Sequence, residues 1–175
     1  MNFYQNSNFF QKSTQSQYKS KINIYSAGIL PYQVNKEGKV YILLGKDTQG
    51  NWSDFGGKSE LKDNNDIRET ASREFFEESL NSVININTAR EMLRNENNYI
   101  LAKSKTLNGS PYYMFLLRLP MKPEACRDRF QKTLQFLEYM GADYKWKEKC
   151  DVQWMSLDNL LTCLDDHKNE KELNW

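Results

Sequence analysis

The chain has 175 residues and a net charge of +1, with 24 Lys and Arg against 23 Asp and Glu. That length suits one domain with a full core, and the balance of charge excludes the strongly basic field that tight non-specific RNA binding needs, though not local basic patches. No apolar run approaches the ~20 residues of a membrane span, and the first residues lack the basic and apolar regions of a signal peptide. Cys126, Cys150 and Cys163 are odd in number and lack metal-ligand spacing. They fit a reducing, cytoplasmic setting, with the thiols as buried filler.

Residues 1–20 are rich in Asn, Gln and Ser without a sustained period and are expected as a flexible tail, although Phe3, Tyr4, Phe9 and Phe10 could dock on the domain. The domain is expected over 21–175. A strand is predicted from about Ile22 to Val34, a hairpin turn over Asn35–Gly38 and a return strand over Val40–Leu44. Trp52 reads as a brace for the loop that follows rather than as a base-stacking platform. Gly56-Gly57 permits positive φ and close approach to a ligand.

A helix is predicted from about Asp66 to Ser79, with Asn64, Asn65 or Asp66 as N-cap. On it Glu74, Glu77 and Glu78 stand at i, i+3 and i+4 and share an arc of roughly 100°. Three unpartnered carboxylates this close repel, and a hard divalent cation relieves the repulsion. A solvated acidic face with lysines nearby is the plainer alternative. Phe76 lies across the helix from these glutamates and is expected to dock on the core. Arg73 is placed to orient a carboxylate, and Glu69 to pair with Arg73 one turn away.

Beyond the helix, Val83–Ile86 alternates as a short strand and Thr88–Asn95 reads as a helical turn. Tyr99–Ala102 and Tyr112–Leu117 are predicted strands joined through Asn108-Gly109-Ser110-Pro111. The second is apolar throughout, as a central strand would be, and Pro120 ends it. Helical spacing runs from Glu124 to Met140, with Gly141 as the stop. Residues 147–161 read as a strand and the start of a last helix, capped by Ser156 or Asp158. His167, the one histidine, lies in a polar stretch. A single histidine excludes histidine-phosphatase and zinc-hydrolase chemistry.

Gly57 together with Arg73-Glu74-Phe75-Phe76-Glu77-Glu78 resembles the Nudix box, G-x5-E-x7-R-E-U-x-E-E-x-G-U, where U is aliphatic or aromatic. There are three departures. The loop acid falls on Asp63, nine residues rather than seven separate it from Arg73, and the closing glycine falls on Leu80, with Asn81 able to cap one residue later. The resemblance spans about residues 22–165. It implies a Nudix-type α/β/α sandwich around a mixed β-sheet. The implied activity is Mg²⁺-dependent cleavage, with Mn²⁺ as the substitute, of a diphosphate linkage in a nucleotide or a nucleoside-diphosphate-linked substrate.

The resemblance also assigns residues. Glu77 and Glu78 are implied as principal metal ligands, Glu74 as ligand or base, the Gly56 carbonyl as a further ligand and Arg73 as the orienting group. Ala27, Gly56, Gly57 and Lys58 are implied to line the substrate cleft. Glu148, six residues before Trp154, is the reserve base, unless Lys147 and Lys149 hold it in a surface pair. Two other functions stay open. One is an mRNA-decapping enzyme releasing m7GDP from capped RNA, since Asp54-Phe55-Gly56-Gly57-Lys58, the helix at 124–140 and Lys147-Glu148-Lys149 are similar to features of Nudix proteins of large DNA viruses. The other is a non-catalytic Nudix-fold binding module. Expected partners are a nucleotide-type small molecule or capped RNA, with no membrane, and a second copy of the chain, because many Nudix domains dimerise.

Overall fold

The computed structural model describes residues 24–120 and 125–163; the 1–20 segment, Glu124 and His167 lie outside them. Strand β1 (Ser26–Val34) turns back into β2 (Val40–Asp47). In the turn the Asn35 side chain accepts hydrogen bonds from the Glu37 and Lys39 N–H groups at 3.0 and 2.9 Å. Two short strands follow, β3 (Trp52–Ser53) and β4 (Phe55–Lys58), and then helices α1 (Ile67–Ser79) and α2 (Ile86–Arg94). β5 (Tyr99–Lys105), β6 (Pro111–Arg118), α3 (Cys126–Tyr139) and β7 (Lys149–Ser156) complete the order, and residues 157–163 are helical.

The strands form one seven-stranded mixed sheet in the order β3-β2-β1-β6-β5, with β4 added on β1 and β7 on β2. β1 changes partner along its length. Ser26–Ile29 pair with β4 and Tyr32–Val34 with β2, both antiparallel, while the other edge runs parallel to β6. The α/β class and the mixed sheet are those expected from the sequence. Ile29, Leu43, Phe55, Phe75, Phe115 and Val152 are wholly buried in the core.

Helix α1 is covered on several sides, by β1, β4 and α2 and by the turn at Tyr144–Trp146. Phe75, not Phe76, enters the core, meeting Phe55 edge-on with centroids 5.3 Å apart. Phe76 lies half-buried beneath Trp146, 5.9 Å away. The helix stops at Leu80, which itself takes the left-handed conformation at φ 51°, so the cap does not move on to Asn81 as expected, although Asn81 is left-handed too.

The strand expected over Val83–Ile86 does not form. The Asn85 side chain accepts from the Thr88 N–H at 2.9 Å and starts α2 at Ile86, so capping overrides a four-residue alternation. Arg129 of α3 fixes the bend before it, donating from Nε and Nη2 to the Ser82 carbonyl at 2.9 and 2.6 Å. Ser156 is the cap of the last helical stretch, accepting from the Asn159 N–H at 3.2 Å. The three cysteines are unbridged, but only Cys126 is buried filler; Cys150 is half-buried and Cys163 exposed.

Candidate active site

The loop before α1 decides how the site is held. Asn64 and Asn65 both have left-handed backbones, φ 53° and 59°, a region Asn enters more readily than most residues. They fold the two extra residues into a tight turn ahead of Asp66, whose carboxylate caps α1 by accepting from the Arg68 N–H at 2.8 Å. The turn lays Asp63 against the helix, 2% exposed.

There Asp63 accepts from Arg73 Nε and Nη2 at 2.9 Å each, from Thr70 Oγ1 at 2.9 Å and from the Glu60 N–H at 2.8 Å. Burial pushes its carboxyl up, but the Arg73 pair and the other donors outweigh this and hold it below the usual carboxylate range. Asp63 therefore fixes Arg73 from behind. The expected Glu69–Arg73 pair is absent, because Glu69 instead accepts from Arg90 Nε of α2 at 2.8 Å.

With one side of its guanidinium locked, Arg73 turns the rest towards the glutamates. Nη1 donates to Glu74 Oε1 at 2.8 Å and to Glu77 Oε2 at 3.3 Å, and Nη2 donates to the Lys58 carbonyl at 2.8 Å. The contribution of Lys58 is thus its backbone, its side chain being exposed. Lys62 Nζ lies 3.6 Å from Glu77 Oε1. Glu78 is 6% exposed and faces β4, where the Gly56 N–H donates to its Oε2 at 2.7 Å.

Neither Gly56 nor Gly57 has positive φ; both are extended within β4. What they supply is close approach. A Cβ on Gly57 would stand 2.6 Å from the Glu74 carboxylate, and one on Gly56 would overlap the Tyr112 hydroxyl and stand 2.7 Å from Gly28 Cα. Ala27, in β1 beside Gly57, is wholly buried, so its side chain packs in the core and lines no open cleft.

Burial is the main influence on two of the three carboxyls. It pushes Glu74 up to about 7 against the pull of Arg73, with Glu77 and Glu148 adding to the rise. It pushes Glu78 up to about 8 against the pull of Lys149 and the Gly56 N–H, with Glu74 and Glu148 adding. Glu148 is exposed, and its negative charge is felt by both. The pair of Glu148 with flanking lysines on a plain surface is not what forms, because Lys149 is buried, with Nζ 3.5 Å from Glu78 Oε1 and 2.7 Å from Ser53 Oγ.

Sequence reasoning misses this lysine and also Tyr112 and Asp54. The Tyr112 hydroxyl donates to Asp54 Oδ2 at 2.5 Å, directly over Gly56 and Gly28. Burial raises the Asp54 carboxyl even so. A tyrosine at the head of an apolar strand gives no sign of a polar partner in sequence. The aspartate immediately before Phe55-Gly56-Gly57 is the one available signal.

The donor set fits a hard divalent cation: Glu74, Glu77 and Glu78 offer oxygens only, from neighbouring turns of α1. In the present arrangement Arg73, Lys62 and Lys149 hold those oxygens, and among the described residues no three acidic, His or Cys side chains stand in metal-holding geometry. No described helix is long and apolar enough to cross a membrane.

Fold and site together describe an α/β protein with a half-buried carboxylate cluster braced by an arginine. No family model matches the chain, and no curated protein sequence matches it. The solved structures it resembles include Nudix proteins. A Caenorhabditis elegans Ap4A hydrolase in a binary complex is 15% identical, with 80% of this chain and 86% of that chain covered and a TM-score of 0.46. The NUDIX domain of Shewanella oneidensis NrtR, complexed with ADP ribose, is 12% identical over 81% and 78% of the two chains, with a TM-score of 0.46. RenU, a Nudix hydrolase from M. smegmatis, is 12% identical over 79% and 74%, with a TM-score of 0.40.

Proposed function

We propose that the chain is a Nudix-type hydrolase that cleaves a phosphoric anhydride, the diphosphate linkage of a nucleotide-type substrate, with a divalent cation as cofactor. The observation that carries this is the locked Asp63–Arg73 pair, which aims a guanidinium at Glu74 and Glu77 while Glu78 is drawn beneath the Gly56 N–H. The resemblance of residues 57–80 to the Nudix box supports the same reading.

A bound Mg²⁺ would supply Lewis-acid stabilisation of charge developing on the phosphate oxygens and would activate a water. Glu77 and Glu78 would hold it, with Glu74 as further ligand or base and Glu148 as reserve base. Asp63 and Arg73 would keep Glu74 and Glu77 in register with the helix face. The glycine pair would let the backbone of β4 approach the phosphates.

The test is Mg²⁺-dependent hydrolysis by purified protein of nucleoside triphosphates, dinucleoside polyphosphates, nucleotide sugars, inositol pyrophosphates and capped RNA. Turnover of at least one, lost in Glu78→Gln, is the expected result. Release of m7GDP from capped RNA well above every free nucleotide would make the chain a decapping enzyme. No turnover of any substrate, with nucleotide binding intact, would make it a binding module.

A further inference from the structure

Lys149 is a feature of the site that the proposed reaction leaves without a role. Lysine is rarely buried unless paired, and here the whole side chain is only 6% exposed. It arrives from the start of β7, opposite Asp47, beside the irregularity in the β2–β7 ladder between Lys46 and Asp47. Its stem runs across Gly45, where a Cβ would come within 3.0 Å of Lys149 Cδ and 2.9 Å of the Phe55 ring. The groove that admits it is therefore built by a residue without a side chain. At its end the ammonium is held by Ser53 Oγ at 2.7 Å and stands 3.5 Å from Glu78 Oε1.

We infer that Lys149 is a built-in counter-cation that occupies Glu78 until a divalent cation displaces it, so that Lys149 and the metal compete for one carboxylate. The inference rests on the reading of Glu78 as a metal ligand. A divalent ion on Glu78 Oε1 would stand beside the ammonium that lies 3.5 Å from the same oxygen, and the two positive charges repel. Whatever the ammonium contributes to Glu78 in the metal-free chain is lost when the metal binds, and by linkage it weakens metal affinity. The groove along Gly45 and the Ser53 hydroxyl give Lys149 a place to remain once Glu78 is taken, still within the site and positively charged beside the bound phosphates. Lys149 is thus a positioning residue that sets the threshold cation concentration.

Binding of Mn²⁺ alone to the full chain, followed by titration calorimetry, tests this without any turnover. Lys149→Met keeps the apolar stem and removes the charge, and it should bind Mn²⁺ at least about fivefold more tightly than the unaltered chain, within the usual range of such couplings. Glu78→Gln should weaken binding. Equal or weaker binding by Lys149→Met would overturn the role of Lys149 while leaving the metal site standing. No Mn²⁺ binding by either chain would overturn the metal site itself, and this inference with it.

A measurement on the unaltered chain covers the case in which Lys149→Met fails to fold. The ammonium resonance of Lys149, assigned by its loss in Lys149→Arg, is followed by ¹H–¹⁵N NMR as Mg²⁺ is added. A saturable shift is expected, and a resonance unmoved at saturating Mg²⁺ would overturn displacement.

Discussion

Gly56 and Gly57 are adjacent and alike in sequence, but alanine at each should fail differently. At Gly56 the added methyl meets backbone, Gly28 Cα at 2.7 Å, as well as the Tyr112 hydroxyl. Backbone cannot step aside without parting β1 from β4, so Gly56→Ala should destabilise by about 1–3 kcal/mol, the usual range for overpacking. At Gly57 the atoms nearest the methyl belong to the end of a side chain, the Glu74 carboxylate. Gly57→Ala should cost less in urea denaturation and more in activity, since Glu74 must swing away from Arg73. If Gly57→Ala unfolds more readily than Gly56→Ala, this account of the pair is wrong. On the helix, Glu77→Gln and Glu78→Gln should each lower the hydrolytic rate at saturating Mg²⁺; two variants with full rate would remove both residues from the site.

The loop at 61–66 and the helix it precedes act as one element through Asp63. Without Asp63, Arg73 keeps Glu74 and Glu77 but loses the acceptors of its Nε and of one side of Nη2, so Asp63→Ala should cost about 1–3 kcal/mol in chemical denaturation at pH 7. The effect has a sign in pH. The folded carboxyl lies below its unfolded value of ~3.9, so its contribution is complete above that value and is lost as pH falls through the folded pKa. The stability gap between the unaltered chain and Asp63→Asn should therefore narrow below about pH 4; a gap independent of pH would show that Asp63 holds Arg73 without being ionised. Asn64→Ala, which forces a left-handed backbone on a residue that resists it, should cost roughly 1–2 kcal/mol.

These elements also show what a sequence can and cannot convey. Helix α1 was legible from its period and its cap, because both are local. The acidic face was legible for the same reason, and the last cap was narrowed to Ser156 or Asp158, of which Ser156 takes the role. The role of Asp63 was not, because it depends on two consecutive left-handed residues that let a shorter acid reach Arg73. Nor was Glu69, whose partner Arg90 belongs to the next helix. Lys149 was the least legible. Its burial depends on a groove left by Gly45, which is far from it in sequence and meets it only across the sheet. A Lys-Glu-Lys triplet read alone is a solvated surface.

For the whole molecule, a ligand that binds only the folded state raises its stability by mass action. Mg²⁺ at about 100 times its Kd should add about 2.7 kcal/mol, seen as a rise in Tm over the same chain in EDTA, and the rise should vanish in Glu78→Gln. A rise that survives in Glu78→Gln would place the cation elsewhere.

The pairing of β2 with β7 has a temporal meaning as well. The second strand of the sheet waits for the seventh, and β1 waits for β6 to lie parallel to it. Such distant pairings must close long loops before contacts reward them, which slows folding. During synthesis, the helix with its three glutamates leaves the ribosome long before the strand that carries Lys149. Until then Glu78 lacks the ammonium that stands beside it in the finished fold. The site is complete only once β7 has been made and has paired with β2.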